Sequence, residues 1–163
     1  MYTRILVPLD GSKVAEGVIP YVTGLARATG GEVIFLRVLE PPVRAAGISM
    51  RDQTKSAFKY LNTWAEALRA QGIRSRPAVT QGPVTEAIVK WATDNAAELI
   101  ALMSHGFGAA AKAVFGSVAE RMLELSPLPV LVVRASAEVL QQQQEQEEEE
   151  FDEAVFELMG VET

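Results

Sequence analysis

Two stretches of this chain carry residue types that could do chemistry. The first is Pro8-Leu9-Asp10-Gly11-Ser12, which follows the apolar run Ile5-Leu6-Val7. An acidic side chain just past the end of a strand can accept hydrogen bonds from sugar hydroxyls, and exposed backbone beside it can meet the edge of a base. A tight turn in which Asp10 or Ser12 caps the next helix explains the same five residues. The second stretch runs from Met103, Ser104, His105 and Gly106 through Gly108 and Lys112 to Gly116, Ser117 and Val118. Its glycines let backbone N–H groups approach phosphate oxygens without a Cβ in the way. A helix beginning at Ser117 would add unpaired donors and a partial positive charge, and Lys112 a full one. Here too a plainer account exists: Ser117 and Glu120 have the spacing of a capping box. His105 is the sole histidine, and no carboxylate or serine is readable as its partner. A loop histidine bonded to backbone therefore accounts for it better than proton transfer.

The elements that must position these loops are legible from periodicity. Short apolar, β-branched runs predict strands at 4–8, 32–39, 75–80, 99–103 and 130–133. Pro77, which has no N–H for a ladder, marks the third as an edge strand or as a strand that starts after it. Helical spacing links Val14, Val18, Val22 and Leu25, with a kink expected at Pro20. A second stripe is Ala57, Leu61, Trp64 and Leu68, ended at Gln71-Gly72. A third helix opens at Gly82-Pro83, with proline in the first helical position and Val84, Ile88 and Trp91 inward. A fourth starts at Ser117, with Val118, Met122 and Leu125 on its apolar side.

Alternating strands and helices predict an α/β domain: one doubly wound, five-stranded parallel sheet with helices on both faces. In such sheets ligands sit beyond the carboxyl ends of the strands, where the winding reverses. That places a site at the loops after Pro8, Leu39 and Met103.

Composition narrows the chemistry. The chain has 163 residues, 48% of them hydrophobic, and no cysteine. Disulfides, thiol catalysis and thiolate-held metals are excluded, and a site needing two histidines is excluded as well. No apolar run is long enough to cross a membrane, and the N-terminus reads as a strand rather than a signal peptide. A cytoplasmic protein is expected. The net charge of −6 is divided along the chain: up to Arg134 fifteen Lys and Arg face eleven acids, a net +4, and the remaining ten acids follow without a base. The body could accept an anion, whereas the whole molecule should repel nucleic acid. The expected division is a domain over 1–134 and an acidic, Gln/Glu-rich tail over 135–163. That tail should not fold alone, although Phe151, Val155, Leu158 and Met159 predict a short amphipathic helix at 151–160.

Taken in order, these segments resemble the universal stress protein family over about residues 3–134. The resemblance rests on Ile5-Leu6-Val7-Pro8-Leu9-Asp10-Gly11-Ser12, on Leu36-Arg37-Val38 ahead of Glu40-Pro41-Pro42, and on Ser104-His105-Gly106 followed by Gly116-Ser117. It also rests on Val118-Ala119-Glu120-Arg121 and Pro129-Val130-Leu131-Val132-Val133-Arg134. It implies a Rossmann-like, adenine nucleotide alpha hydrolase-like domain that forms homodimers, commonly through the last strand (here Val130, Leu131, Val132 and Val133). One branch of the family binds ATP or a related adenine nucleotide; another does not. The binding branch carries a spaced glycine motif. Mapped here, its second glycine is Gly106, its third Gly116 and its hydroxyl residue Ser117. Its first position is Met103 rather than glycine, and Phe107 stands where a basic residue often follows.

The resemblance further implies Asp10 at the ribose, with Pro8, Leu9 and Val38 around adenine. Backbone at Ser104, His105, Gly106 and Gly108 would line the phosphates, with Gly116, Ser117 and Val118 at the far end. Met103 is harmless if its side chain enters the core and obstructive if it faces the loop. The expected function is a stress-related regulatory homodimer that binds ATP, AMP or cyclic AMP, with magnesium as an optional companion. The alternative is a dimeric interaction module that does not bind nucleotide and captures a protein partner through its dimer surface and tail. No residue pattern supplies a catalytic base beside a phosphate loop, so at most a slow ATPase is expected. No metal ligand set is readable.

Overall fold

The β-branched runs become strands of a single sheet in the computed structural model, which describes residues 1–40, 47, 49–104 and 116–136, with Gln141, Glu145, Glu148, Phe151 and Val155. The strands are β1 (Arg4–Pro8), β2 (Glu32–Leu39), β3 (Arg74–Gln81), β4 (Leu99–Met103) and β5 (Val130–Val133). They pair in parallel in the order β3-β2-β1-β4-β5. Ile5 pairs with Val33 on one side and with Leu99 on the other. Pro77 lies within β3 opposite Phe35; the strand does not start after the proline, and of the two outcomes the sequence left open the edge position is the one observed.

Strand alternation divides the apolar side chains between two cores. Ile5, Val7, Val33, Phe35, Leu99, Ala101 and Met103 face one. Leu6, Ile34, Leu36, Ile100 and Leu102 face the other. The first is covered by α1 (Lys13–Glu16), α2 (Ile19–Thr29) and α3 (Met50–Ala70), the second by α4 (Val84–Asp94) and α5 (Ser117–Leu125). The expected doubly wound, five-stranded parallel architecture is the one observed. The winding reverses between β1 and β4, which pair directly.

Four details differ from the sequence reading. Pro20 does not kink a continuous helix: α1 ends at Gly17 and α2 starts afresh with the proline in its first turn, where an N–H has no intrahelical partner to lose. Pro83 is the N-cap of α4 rather than its first helical residue, and its carbonyl accepts from Ala87 N at 2.8 Å. Leu125, placed on the apolar side of α5, is 44% exposed. Finally, Ser117 and Glu120 form no capping box, because Gly116 is the N-cap of α5 and Ser117 already lies inside the helix. The backbone N–H of Gly116 donates to the carbonyl of Ser104, so the helix start is pinned to the end of β4.

In the tail, Gln141, Glu145, Glu148, Phe151 and Val155 are all helical, and Gln141 Nε2 donates to Glu145 Oε1 at 3.2 Å. Helical residues therefore occur within the Gln/Glu run and not only after it, in keeping with the high helix propensity of both residue types. The rest of the helix expected at 151–160 lies outside the described residues. Among the described residues no helix is long and apolar enough to cross a membrane.

Candidate functional site

β1 delivers Asp10 to the carboxyl edge of the sheet. Leu9 N donates to Leu36 O at 2.9 Å, which carries the ladder one residue beyond the strand and fixes the direction in which the chain leaves it. Asp10 Oδ1 then accepts the N–H of Ser12 at 2.8 Å, and Ser12 Oγ accepts from Ala15 N at 3.2 Å. The helix-capping turn that the sequence allowed is thus real, with Asp10 shaping the turn and Ser12 the cap. Gly11 sits at φ +92°, a left-handed position that a side chain would strain.

Asp10, Ser117 and Val118 converge on an open cavity of about 530 Å³ on the face of the sheet covered by α4 and α5. That volume lies within the roughly 300–1,000 Å³ of small-molecule pockets. Thr85, Glu86 and Glu40 complete its walls together with Pro83 and Val84. Val38 packs against the core on this same face, as Val84 does. The N-terminus of α5 borders the cavity through Ser117 and Val118; among the described residues no side chain caps it, and the first N–H groups of this nine-residue helix have no acceptor within the helix.

Other expected site residues serve the fold. Leu9 is fully buried in the core beneath α1–α3, on the opposite face from the cavity, so its side chain cannot lie against a base held beside Val38. Alternation along β1 puts the buried Pro8 on the Leu6 side, toward α4 and α5. Ser104 is buried, its N–H is spent on Val133 O at 2.7 Å, and its Oγ accepts from Ala135 N at 3.2 Å. Its backbone donor is therefore committed to the sheet and not to a phosphate. Met103 enters the core under α1 and α2. His105, Gly106, Gly108 and Lys112 lie outside the described residues.

Sequence reasoning missed the wall formed by Pro83, Val84, Thr85 and Glu86. The signal was Gly82-Pro83 directly after β3, read there only as a helix start. Gly82 has φ +133° and donates its N–H to Leu39 O at 3.1 Å. A residue other than glycine would resist that turn, which sets the first turn of α4 beside the ends of β1 and β2.

The electrostatics of the cavity turn on its carboxylates. Asp10, Glu40 and Glu86 all line it. Arg121 of α5 donates to Glu86 Oε1 at 2.6 Å and holds that carboxyl below the ordinary glutamate range. Among the described residues, no three acidic or histidine side chains come close enough together to hold a metal ion. A second cleft, of about 440 Å³, lies on the other face between Gly11, Arg37 and α3.

A crevice of this kind, at the reversal point of a doubly wound parallel sheet and with a carboxylate at one end and a helix N-terminus at the other, places the chain among the doubly wound α/β domains, whose ligand crevices open at this point of the sheet. Comparison with known proteins supplies the particular kind. The model of the universal stress protein family matches residues 1–134, and the chain belongs to that family. It is 31% identical over 135 residues to universal stress protein Sll1654 of Synechocystis, covering 82% of this chain and 86% of that one. Its fold is similar to the solved structure of MJ0577, with a TM-score of 0.72 at 29% identity, covering 84% of this chain and 99% of that one. More distant likenesses show the fold alone. One is a universal stress protein solved in complex with cAMP (TM-score 0.63, 21% identity, 83% and 98% covered). Another, from Archaeoglobus fulgidus, was solved with dAMP (TM-score 0.62, 22% identity, 80% and 97% covered).

Proposed function

We propose that this universal stress protein is a regulatory protein that binds an adenine nucleotide in the cavity between Asp10 and the N-terminus of α5. One observation carries the reading. A carboxylate suited to ribose hydroxyls and an uncapped helix N-terminus suited to phosphate border the same 530 Å³ cavity, at the point where the sheet winding reverses. Val38 and Val84 supply apolar surface on that face for a base. Met103 does not obstruct it, since its side chain lies on the other side of the sheet. That proteins of the same fold were solved with cAMP and dAMP supports the ligand class. The nucleotide is ATP, AMP or cyclic AMP, with or without magnesium.

Calorimetric titration of the full chain with AMP, ATP and cyclic AMP tests the reading, after a check for nucleotide carried through purification. Micromolar binding is expected, weakened about tenfold or more in Asp10→Asn, which keeps an acceptor for Ser12 but turns one carboxylate oxygen into a donor. No heat and no carried nucleotide from the folded wild-type protein would overturn it.

The working form in this reading is a homodimer in the cytoplasm, paired through β5. That strand is a sheet edge, and Val130, Leu131 and Val132 are only partly buried. Phe151, 68% exposed and helical, favours a second role in which the tail captures a protein partner. Deleting residues 135–163 should then abolish capture in a pull-down and leave nucleotide affinity as it was.

A further inference from the structure

The cavity walls pose a charge problem for the ligand proposed above. Three carboxylates line it: Asp10, Glu40 and Glu86. A helix N-terminus offers only a partial positive charge against them. Among the described residues, the cation in contact with a lining side chain is Arg121, whose Nη2 lies 2.6 Å from Glu86 Oε1. Arg121 stands four residues after Ser117 in α5, one turn deeper on the same face of the helix. Glu86 stands in the first turn of α4. Their ion pair therefore spans the two helices that wall the cavity, and Arg121 is rooted about 6 Å along the helix axis from Ser117. An arginine side chain covers that distance by a change of rotamer.

The pair is built to be exchanged. The side chains of Arg121 and Glu86 are 56% and 48% exposed, so water screens their attraction and little is lost when it breaks. A phosphate, though tetrahedral, offers the planar guanidinium a pair of acceptor oxygens as a carboxylate does, with more charge. Glu86, half exposed to water, is ionised near neutral pH as glutamates ordinarily are, so the two anions compete for one cation.

Building on the adenine-nucleotide reading, we propose that Arg121 is an exchangeable phosphate ligand: Glu86 holds it in the structure, and a phosphate of the bound nucleotide takes it from Glu86. Glu86 then acts as a competitor inside the protein that sets affinity for phosphorylated ligands and leaves the nucleoside end untouched.

The test is calorimetric titration of adenosine and of AMP into the full-length wild type, Arg121→Gln, Glu86→Gln and the double variant. Arg121→Gln should bind AMP about three- to tenfold more weakly, and Glu86→Gln should bind it up to about fivefold more tightly, the scale of one exposed ion pair. Adenosine affinity should stay constant across the four proteins. The double variant should behave like Arg121→Gln, because without the arginine there is nothing for Glu86 to withhold. Arg121→Lys should restore part of the AMP affinity. AMP binding within twofold of wild type in Arg121→Gln would overturn the exchange while leaving the nucleotide reading standing. So would a gain from Glu86→Gln that persists in the double variant, since that gain would come from removing a negative wall charge alone. A wild-type protein that binds neither adenosine nor AMP would overturn the nucleotide reading, and the exchange with it.

Discussion

Met103 lies against Gly17: a Cβ at position 17 would come within 3.1 Å of Met103 Cε and 3.4 Å of Sδ, and within 3.0 Å of the carbonyl of Val14. The space left by the glycine at the end of α1 is the space the methionine fills. The long side chain at the end of β4 is thereby drawn into the core on the side away from the cavity.

Stability and binding should separate at this position. Met103→Ala removes a side chain that is 7% exposed in a packed core and should cost roughly 2–4 kcal/mol in denaturant unfolding. Nucleotide affinity, read by titration on the folded fraction, should change by less than about twofold. A large loss of affinity would mean that Met103 reaches the ligand after all.

The hydroxyl of Tyr60 in α3 donates to Glu16 Oε1 in α1 at 2.8 Å. Burial, and then the Glu16 carboxylate, push its ionisation well above the ordinary tyrosine range. Folding therefore favours the neutral phenol. The stability this gives is fully present below the unfolded-state value near pH 10 and falls as the pH rises through and beyond it, where the unfolded chain releases a proton that the folded one keeps. Tyr60→Phe should cost about 1 kcal/mol at neutral pH through the lost hydrogen bond. Its unfolding free energy should also decline less steeply than that of the wild type between pH 9 and 11. Parallel curves for the two proteins would show that Tyr60 titrates alike in both states.

What the sequence disclosed and what it hid divide along physical lines. The strands are short, apolar and separated by turn residues, so four of them begin and end in the structure where periodicity places them; only β3 extends a residue further at each end. Asp10 and Ser117 were legible because each follows a strand end or opens a helix. The face toward which Leu9 points was not, since it depends on how far the ladder continues past Pro8, and the Leu9–Leu36 hydrogen bond decides that. Ser104 looked like phosphate-binding backbone because its neighbours are small; its commitment to Val133 and Ala135 is a long-range fact invisible to local pattern. The Thr85–Glu86 wall was hidden for a similar reason: the cavity is assembled from β1, α4 and α5, which only the strand order brings together.

The edge position of β5 leads to an expectation about assembly. Among the described residues the sheet ends in a strand of valine and leucine whose outer backbone row is unpaired and can be met by another chain. Leu131→Asp places a charge in the middle of that strand and should shift the protein from dimer to monomer in sedimentation velocity. A wild-type chain that sediments as a monomer would remove this interface.

Ser104 ties three segments together, and its loss should be felt in a definite place. The residue is fully buried, and its Oγ accepts the backbone N–H of Ala135, just past the end of β5. Its own N–H donates to Val133 O, and its carbonyl accepts from Gly116 N at the start of α5. Ser104→Ala keeps the two backbone bonds and removes the hydroxyl, leaving the N–H of the 8% exposed Ala135 without that acceptor. Stranding a buried donor costs about 1–3 kcal/mol. Because the bond closes the exit of β5 rather than its middle, amide exchange should accelerate chiefly at Ala135, with Ile100 and Leu102 in the sheet interior protected as before. The start of α5 keeps its tether to the Ser104 carbonyl, so the helix N-terminus that faces the cavity should hold its position. Nucleotide affinity should then fall by no more than about threefold. Exchange that speeds up across the whole of β4 instead would show that the hydroxyl supports the strand itself, not only the exit of its neighbour.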